Sequence, residues 1–126
     1  MDAQRRRRLR KYLRWLPAAV WAAVIFAGSA IPGTNIPGGW SVWGHLAEYA
    51  VLGGLVASAL RRDDWGTILL VIGLCALYGA SDEFHQAFVP FRTPDVLDWI
   101  TDVAGAAIGT AIYLLVTLRR EPRSTQ

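Results

Sequence analysis

The chain has 126 residues, of which 53% are hydrophobic and 18% charged, with six Trp, one Cys and a net charge of +3. That length holds one small domain. Soluble domains carry roughly 25% charged residues, so the shortfall points to a membrane, and the lone Cys75 excludes an internal disulfide and a zinc site of finger spacing. The positive charge does not imply nucleic acid, because seven of the thirteen basic residues stand in RRRRLRKYLR at 5–14, directly before an apolar run. Placed there, they read as a topology signal or a contact with anionic lipid.

Four apolar segments follow in chain order, at about 15–31, 41–60, 65–86 and 96–118. Each is near the ~20 residues a helix needs to cross a bilayer core. None alternates with the period of two that a barrel strand requires. The predicted fold is all-α: a four-helix membrane bundle forming a single domain over 1–126. The first segment also resembles a signal peptide, with a basic start, an apolar run and AGSA at 27–30. Its removal would leave three helices in the same orientation.

The connections are short: PGTNIPGG at 32–39, RRDD at 61–64 and AFVPFRTPD at 87–95. With four crossings, the N-terminus, the 61–64 turn and the C-terminus share one side, and they hold every Lys and Arg except Arg92. The bias of basic residues toward the inner face predicts a multi-pass protein of the cytoplasmic membrane. Both termini are cytoplasmic, and the 32–39 and 87–95 loops face outward. Trp15, Trp40, Trp43, Trp65 and Trp99 read as interfacial anchors.

The polar residues gather at that outer end. His45, Glu48 and Tyr49 are spaced i, i+3, i+4 on the second segment, and Asp82, His85 and Gln86 repeat the spacing on the third. Asp95, Asp98 and Asp102 continue into Gly105 and Gly109 along one face of the fourth. Small residues at i, i+4 let another helix approach closely, so this acidic face is expected to point into the bundle, since charges facing lipid are costly. Glu83 falls off the polar face and reads as a solvated rim residue. Asp95, after Pro94, suits a helix N-cap.

An outward pocket of this composition supports two kinds of chemistry. His45, Glu48, Asp82, His85, Asp98 and Asp102 are the candidate acid/base groups. Asp82, His85, Asp98 and Asp102 could hold a divalent metal such as Mg²⁺ or Mn²⁺. Arg92, Gln86 and Tyr49 are candidate ligand-binding residues, with Arg92 as an anion clamp.

The stretch DEFHQAFVPFRTPDVLDWITDVAGAAIG at 82–109 resembles the signature of VanZ-like integral membrane proteins: an Asp-Glu pair, Gln, Pro-Gly-Arg, Asp, an Asn or Asp, and Gly-x-x-x-Gly. Asp82, Glu83, Gln86, Pro90, Arg92, Asp98, Asp102, Gly105 and Gly109 hold those places. Upstream, His45, Tyr49, Leu52 and Gly53 match the family's His-x-x-x-Tyr-x-x-Leu-Gly. Phe91 stands where the family has Gly, so the turn presenting Arg92 is expected to differ, and SVWG before His45 lacks the Asp-Lys often found there. The resemblance implies four helices and a cell-envelope role, the founding member being associated with resistance to the glycopeptide teicoplanin. The expected partners are membrane lipids and a lipid-linked envelope precursor or a glycopeptide, not nucleic acid; a homodimer is compatible with the sequence. The principal reading is a protein that binds a lipid headgroup or cell-envelope component. The alternative is a metal-dependent membrane enzyme acting on a lipid or isoprenoid-phosphate headgroup.

Overall fold

The computed structural model describes residues 2–35 and 40–120. Within them the chain forms α1 (Ala3–Leu13), α2 (Leu16–Ser29), a single 3-10 turn (Gly33–Asn35), α3 (Trp40–Leu60), α4 (Trp65–Gln86) and α5 (Val96–Arg120). The second half of the 32–39 loop and the polar tail beyond residue 120 lie outside the described residues, as does the side chain of Trp40.

Elementary helix chemistry accounts for the boundaries. Pro17 stands in the first turn of α2, where its missing N–H costs nothing. A short break at Arg14 and Trp15 separates α1 from α2. The basic stretch, read from the sequence as a topology signal or a contact with anionic lipid, is itself helical, with no buried residue. Asp64 caps α4, accepting from the Thr67 N–H at 2.9 Å. Asp95 caps α5, accepting from the Leu97 N–H at 2.9 Å, which satisfies one of the orphan donors of a first turn. α3 ends on Arg61 in the left-handed region, φ 54°, with its N–H on the Ala57 carbonyl.

α2 to α5 pack as a four-helix bundle, and α3 touches each of the other three. The α3–α5 contact is the tightest because both faces are made of small residues. A Cβ on Gly109 would lie 1.7 Å from the Ala50 carbonyl oxygen, one on Gly105 2.5 Å from that of Leu46, and one on Gly53 2.4 Å from that of Ala106. The backbones therefore sit closer than any side chain would allow. Tyr49, Leu52, Val56, Val71, Cys75 and Ala106 fill the core beside this seam.

Among the described residues, three helical stretches are long and apolar enough to cross a bilayer: Ala3–Ser29, Trp65–Gln86 and Val96–Arg120. α3 has the length, but it carries His45 and Glu48 and is not among them. Large apolar side chains such as Leu69, Leu77, Phe84, Val96, Leu97 and Ile112 stay exposed on the bundle. Apolar cover of this extent suits lipid rather than water.

The Trp residues divide. Trp43 and Trp65 are exposed, and Trp15 packs at the edge of the core. Trp99 has a packing role as well: its indole N–H donates to the Ala76 carbonyl at 2.9 Å, and its ring lies near Gly79. It ties α5 to α4. Trp21, not singled out in the sequence, does the same between α2 and α3, donating to the Glu48 carbonyl at 2.8 Å.

Candidate functional site

The C-terminal end of α2, the N-terminal end of α3, the C-terminal end of α4 and the N-terminal end of α5 meet at one end of the bundle. The two loops there are tied together. The Gly33 N–H donates to the Pro90 carbonyl at 3.1 Å, and a Cβ on Gly33 would overlap the Phe91 carbonyl. Phe91 itself adopts φ 59°, the left-handed region that favours glycine. Phe91, directly before Arg92, thus holds a backbone conformation that glycine adopts most readily.

Arg92 spends much of its guanidinium on structure. Nε donates to the Ile31 carbonyl at 3.0 Å and Nη2 to that of Gly28 at 3.2 Å. It closes the end of α2, where the last carbonyls lack helical partners, and also borders a cleft. That cleft has a volume of about 100 Å³ and is lined by Gly28, Ser29, Ser41, Gly44, His45, Glu48, Gln86 and Arg92. Gln86 donates from Nε2 to the Ser29 hydroxyl at 3.3 Å. Glu48 is half-buried on its wall.

Below the cleft lies an acidic cluster organised on His45. Gly105 rests on Leu46, the residue after His45, and Asp102 stands three residues before Gly105. The close approach of α5 to α3 therefore sets the Asp102 carboxylate against the imidazole. Nδ1 of His45 lies 2.6 Å from Asp102 Oδ1, and we assign the proton to Nδ1, donating to the carboxylate. The other ring nitrogen, Nε2, faces Asp98 Oδ2 at 3.9 Å. Ser41 donates to that same oxygen at 3.5 Å. Gly79 leaves room for Asp102: a Cβ there would be 3.0 Å from Oδ2.

Glu83 corrects the sequence reading. It is only 8% exposed, and the returning loop gives it a partner, the Asp95 N–H donating to Oε2 at 3.0 Å. It joins His45 and Asp98 in a group whose ligand atoms all lie within 4.8 Å of one another, the one such group among the described residues. No helical spacing signals this; the contact depends on how the loop folds back.

The remaining candidates separate by position. Asp82 is 3% exposed and both its oxygens are buried without a hydrogen-bond partner. His85 turns toward α2, its ring stacked on Phe26 with centroids 4.2 Å apart, and stands outside the His45 group. Asp95 is an exposed capping residue. Tyr49 is fully buried with its hydroxyl unpartnered, 6.3 Å from Tyr78 ring to ring, and does not line the cleft. Of the four residues expected to share a metal, Asp98 alone belongs to the compact group.

Chemically, Glu48, Asp82, Glu83, Asp98 and Asp102 share this end of the bundle with two imidazoles, of His45 and His85, and one guanidinium. Buried carboxylates cost several kcal/mol each unless paired, so this end of the bundle needs positive charge from protons or a bound cation.

The family model described as VanZ/LLP1 matches residues 3–117. The chain belongs to the VanZ/LLP1 family. No curated protein and no solved structure matches it. The matched residues run from the start of α1 almost to the end of α5, so the family match covers the bundle, the cleft and the acidic cluster together. Membership and the three spanning stretches fit a multi-pass membrane protein.

Proposed function

We propose that this VanZ/LLP1 protein binds the polar headgroup of a membrane lipid or lipid-linked cell-envelope component. The headgroup enters the cleft from outside the cytoplasmic membrane. One observation carries the reading: a cleft lined by both Arg92 and Glu48, set above buried carboxylate oxygens of Asp82, Glu83 and Asp102 that have no hydrogen-bond partner. A phosphate suits the guanidinium face; an ammonium group or a cation suits Glu48. The exposed apolar flanks would keep acyl chains in the bilayer while the headgroup turns inward.

The orientation rests on the basic residues. The cleft end carries Arg92 alone, and the opposite end carries the rest, which supports cytoplasmic termini. In a Cys75→Ala background, a single Cys at Thr93 is expected to react with a membrane-impermeant maleimide in intact cells, and one at Asp63 only after lysis.

Binding is tested by tryptophan quenching with lipids brominated near the headgroup, in vesicles with and without phosphatidylethanolamine. Preference for the zwitterionic lipid, reduced by Glu48→Gln, is the expected outcome. Equal quenching in all vesicles and in the variant refutes the reading. The link to teicoplanin is tested by the susceptibility of cells with and without the protein, with Glu48→Gln as comparison.

A second reading is favoured by the 2.6 Å His45–Asp102 contact. An imidazole oriented by a buried carboxylate is the arrangement of a general base, which would make the protein an enzyme acting on the same headgroup. Release of a water-soluble headgroup from labelled lipid, abolished in His45→Gln, distinguishes catalysis from binding alone.

A further inference from the structure

We propose that His45, Glu83 and Asp98 form a binding site for one divalent first-row transition metal of the Mn²⁺ or Zn²⁺ type, with Asp102 as its positioning residue. The inference deepens the headgroup reading and rests on the same end of the bundle being a binding centre.

Three observations converge on it. The ligand atoms of His45, Glu83 and Asp98 lie within 4.8 Å of one another. Atoms ~2.0–2.2 Å from a shared metal are at most ~4.4 Å apart, so small side-chain rotations complete the site. Glu83 is more than nine-tenths buried, and its carboxylate belongs to this group with Oε1 lacking any partner. Its other oxygen is anchored by the Asp95 N–H, which holds the carboxylate in place. The imidazole is oriented as a ligand: Nδ1 is engaged by Asp102 at 2.6 Å, leaving Nε2 bare toward Asp98 at 3.9 Å. Metal-bound histidines almost always carry such a carboxylate or carbonyl on the other nitrogen.

The donor set selects the ion. One imidazole with two carboxylates is too nitrogen-rich for the all-oxygen shells of Ca²⁺ and Mg²⁺, and it lacks the thiolates of structural zinc sites. It suits Mn²⁺, Fe²⁺ or Zn²⁺. Three protein ligands also leave coordination positions for water or a phosphate oxygen. A metal there would supply the positive charge that the buried carboxylates need, and would sit beside the cleft in which the headgroup is proposed to lie.

The test uses the full chain in maltoside micelles, free of phosphate and added lipid, with Mn²⁺ alone as probe. Electron paramagnetic resonance is expected to show one bound Mn²⁺ per chain, displaced by Zn²⁺. Electron spin-echo modulation on the unaltered protein is expected to show coupling to one imidazole ¹⁴N. Glu83→Gln and Asp98→Asn, checked for helix content by circular dichroism, lose at least the ~10–100-fold in affinity that loss of a supporting group such as Asp102 costs. Absence of stoichiometric binding, absence of the nitrogen coupling, or unchanged affinity in both folded variants overturns the site. Failure of the headgroup reading appears separately, in the lipid-quenching assay repeated with EDTA. Headgroup preference without Mn²⁺ binding overturns only the metal, and Mn²⁺ binding without headgroup preference overturns only the lipid.

Discussion

Gly109→Ala reaches the site through the helix seam rather than through chemistry. The new Cβ would lie 1.7 Å from the Ala50 carbonyl oxygen, 2.6 Å from its carbonyl carbon and 2.9 Å from its Cα. All three are backbone atoms, so no rotamer relieves the overlap. Restoring an ordinary contact near 3.4 Å from 1.7 Å means parting α3 and α5 locally by about 1.7 Å, more than the ~0.5–1 Å gap that forfeits a quarter to a half of a contact's dispersion energy. Overpacking costs ~1–3 kcal/mol when side chains can move, and a backbone-to-backbone clash belongs at the top of that range. For a chain this size ~3 kcal/mol lowers the melting temperature by on the order of 10 °C. Gly73→Ala is the matched control, since nothing lies within 4 Å of a Cβ there; removing a helical glycine should stabilise by up to ~1 kcal/mol. Thermal unfolding of both variants in the same micelles, followed by circular dichroism, reads the difference. A Gly109→Ala protein that melts no lower than Gly73→Ala would refute the seam as the element that holds Asp102 against His45.

Three further outcomes follow from named contacts. Phe91→Gly removes a left-handed non-glycine residue, worth ~1–2 kcal/mol, while the ring it deletes is 80% exposed, so the melting temperature should rise by a few degrees; a fall would mean that the ring packs on something essential. Arg92→Lys keeps the charge but cannot reach both the Ile31 and Gly28 carbonyls; hydrogen bonds from a charged donor contribute ~1.5–3 kcal/mol, so the 87–95 loop should exchange its amide hydrogens faster and melting should come earlier, whereas unchanged exchange would show the forked tie to be dispensable. Asp64 is held below its ordinary value of 3.8 chiefly by the Thr67 N–H, then by the Thr67 hydroxyl and Arg62. Its folded value is depressed, so its contribution to stability is complete above pH ~4 and fades as pH falls through the folded value; Asp64→Asn should flatten that acid limb of the melting profile, and an unaltered limb would remove Asp64 from the account.

Much of the site was legible before any coordinates. The stripe of Asp98, Asp102, Gly105 and Gly109 says that one face of α5 is both acidic and small. Only an inward face against another helix satisfies both demands, and α3 is that helix. His45 and Glu48 were readable for the same reason. Asp95 after Pro94 carries a capping signal, and the structure uses it as a cap. What escaped was Glu83, because its burial depends on a loop that returns to offer the Asp95 N–H, and His85, whose helical spacing with Asp82 does not reveal that Phe26 waits on the α2 side. Phe91 escaped too: no local pattern shows that a non-glycine residue takes up a left-handed backbone there.

The sequence alone determined that the chain is helical, the approximate extents of α2 to α5, where α4 and α5 start, and which end of the bundle collects the acids; α1 it did not announce. Those features arise from hydropathy, capping and periodicity, all of which act within a few residues. The tertiary structure decided which acids meet. His45 and Asp102 are 57 residues apart and Glu83 and Asp95 are 12 apart; their contacts depend on the rotation and depth of each helix, set by the glycine seam and the loop tie, and these are properties of packing that no local pattern encodes.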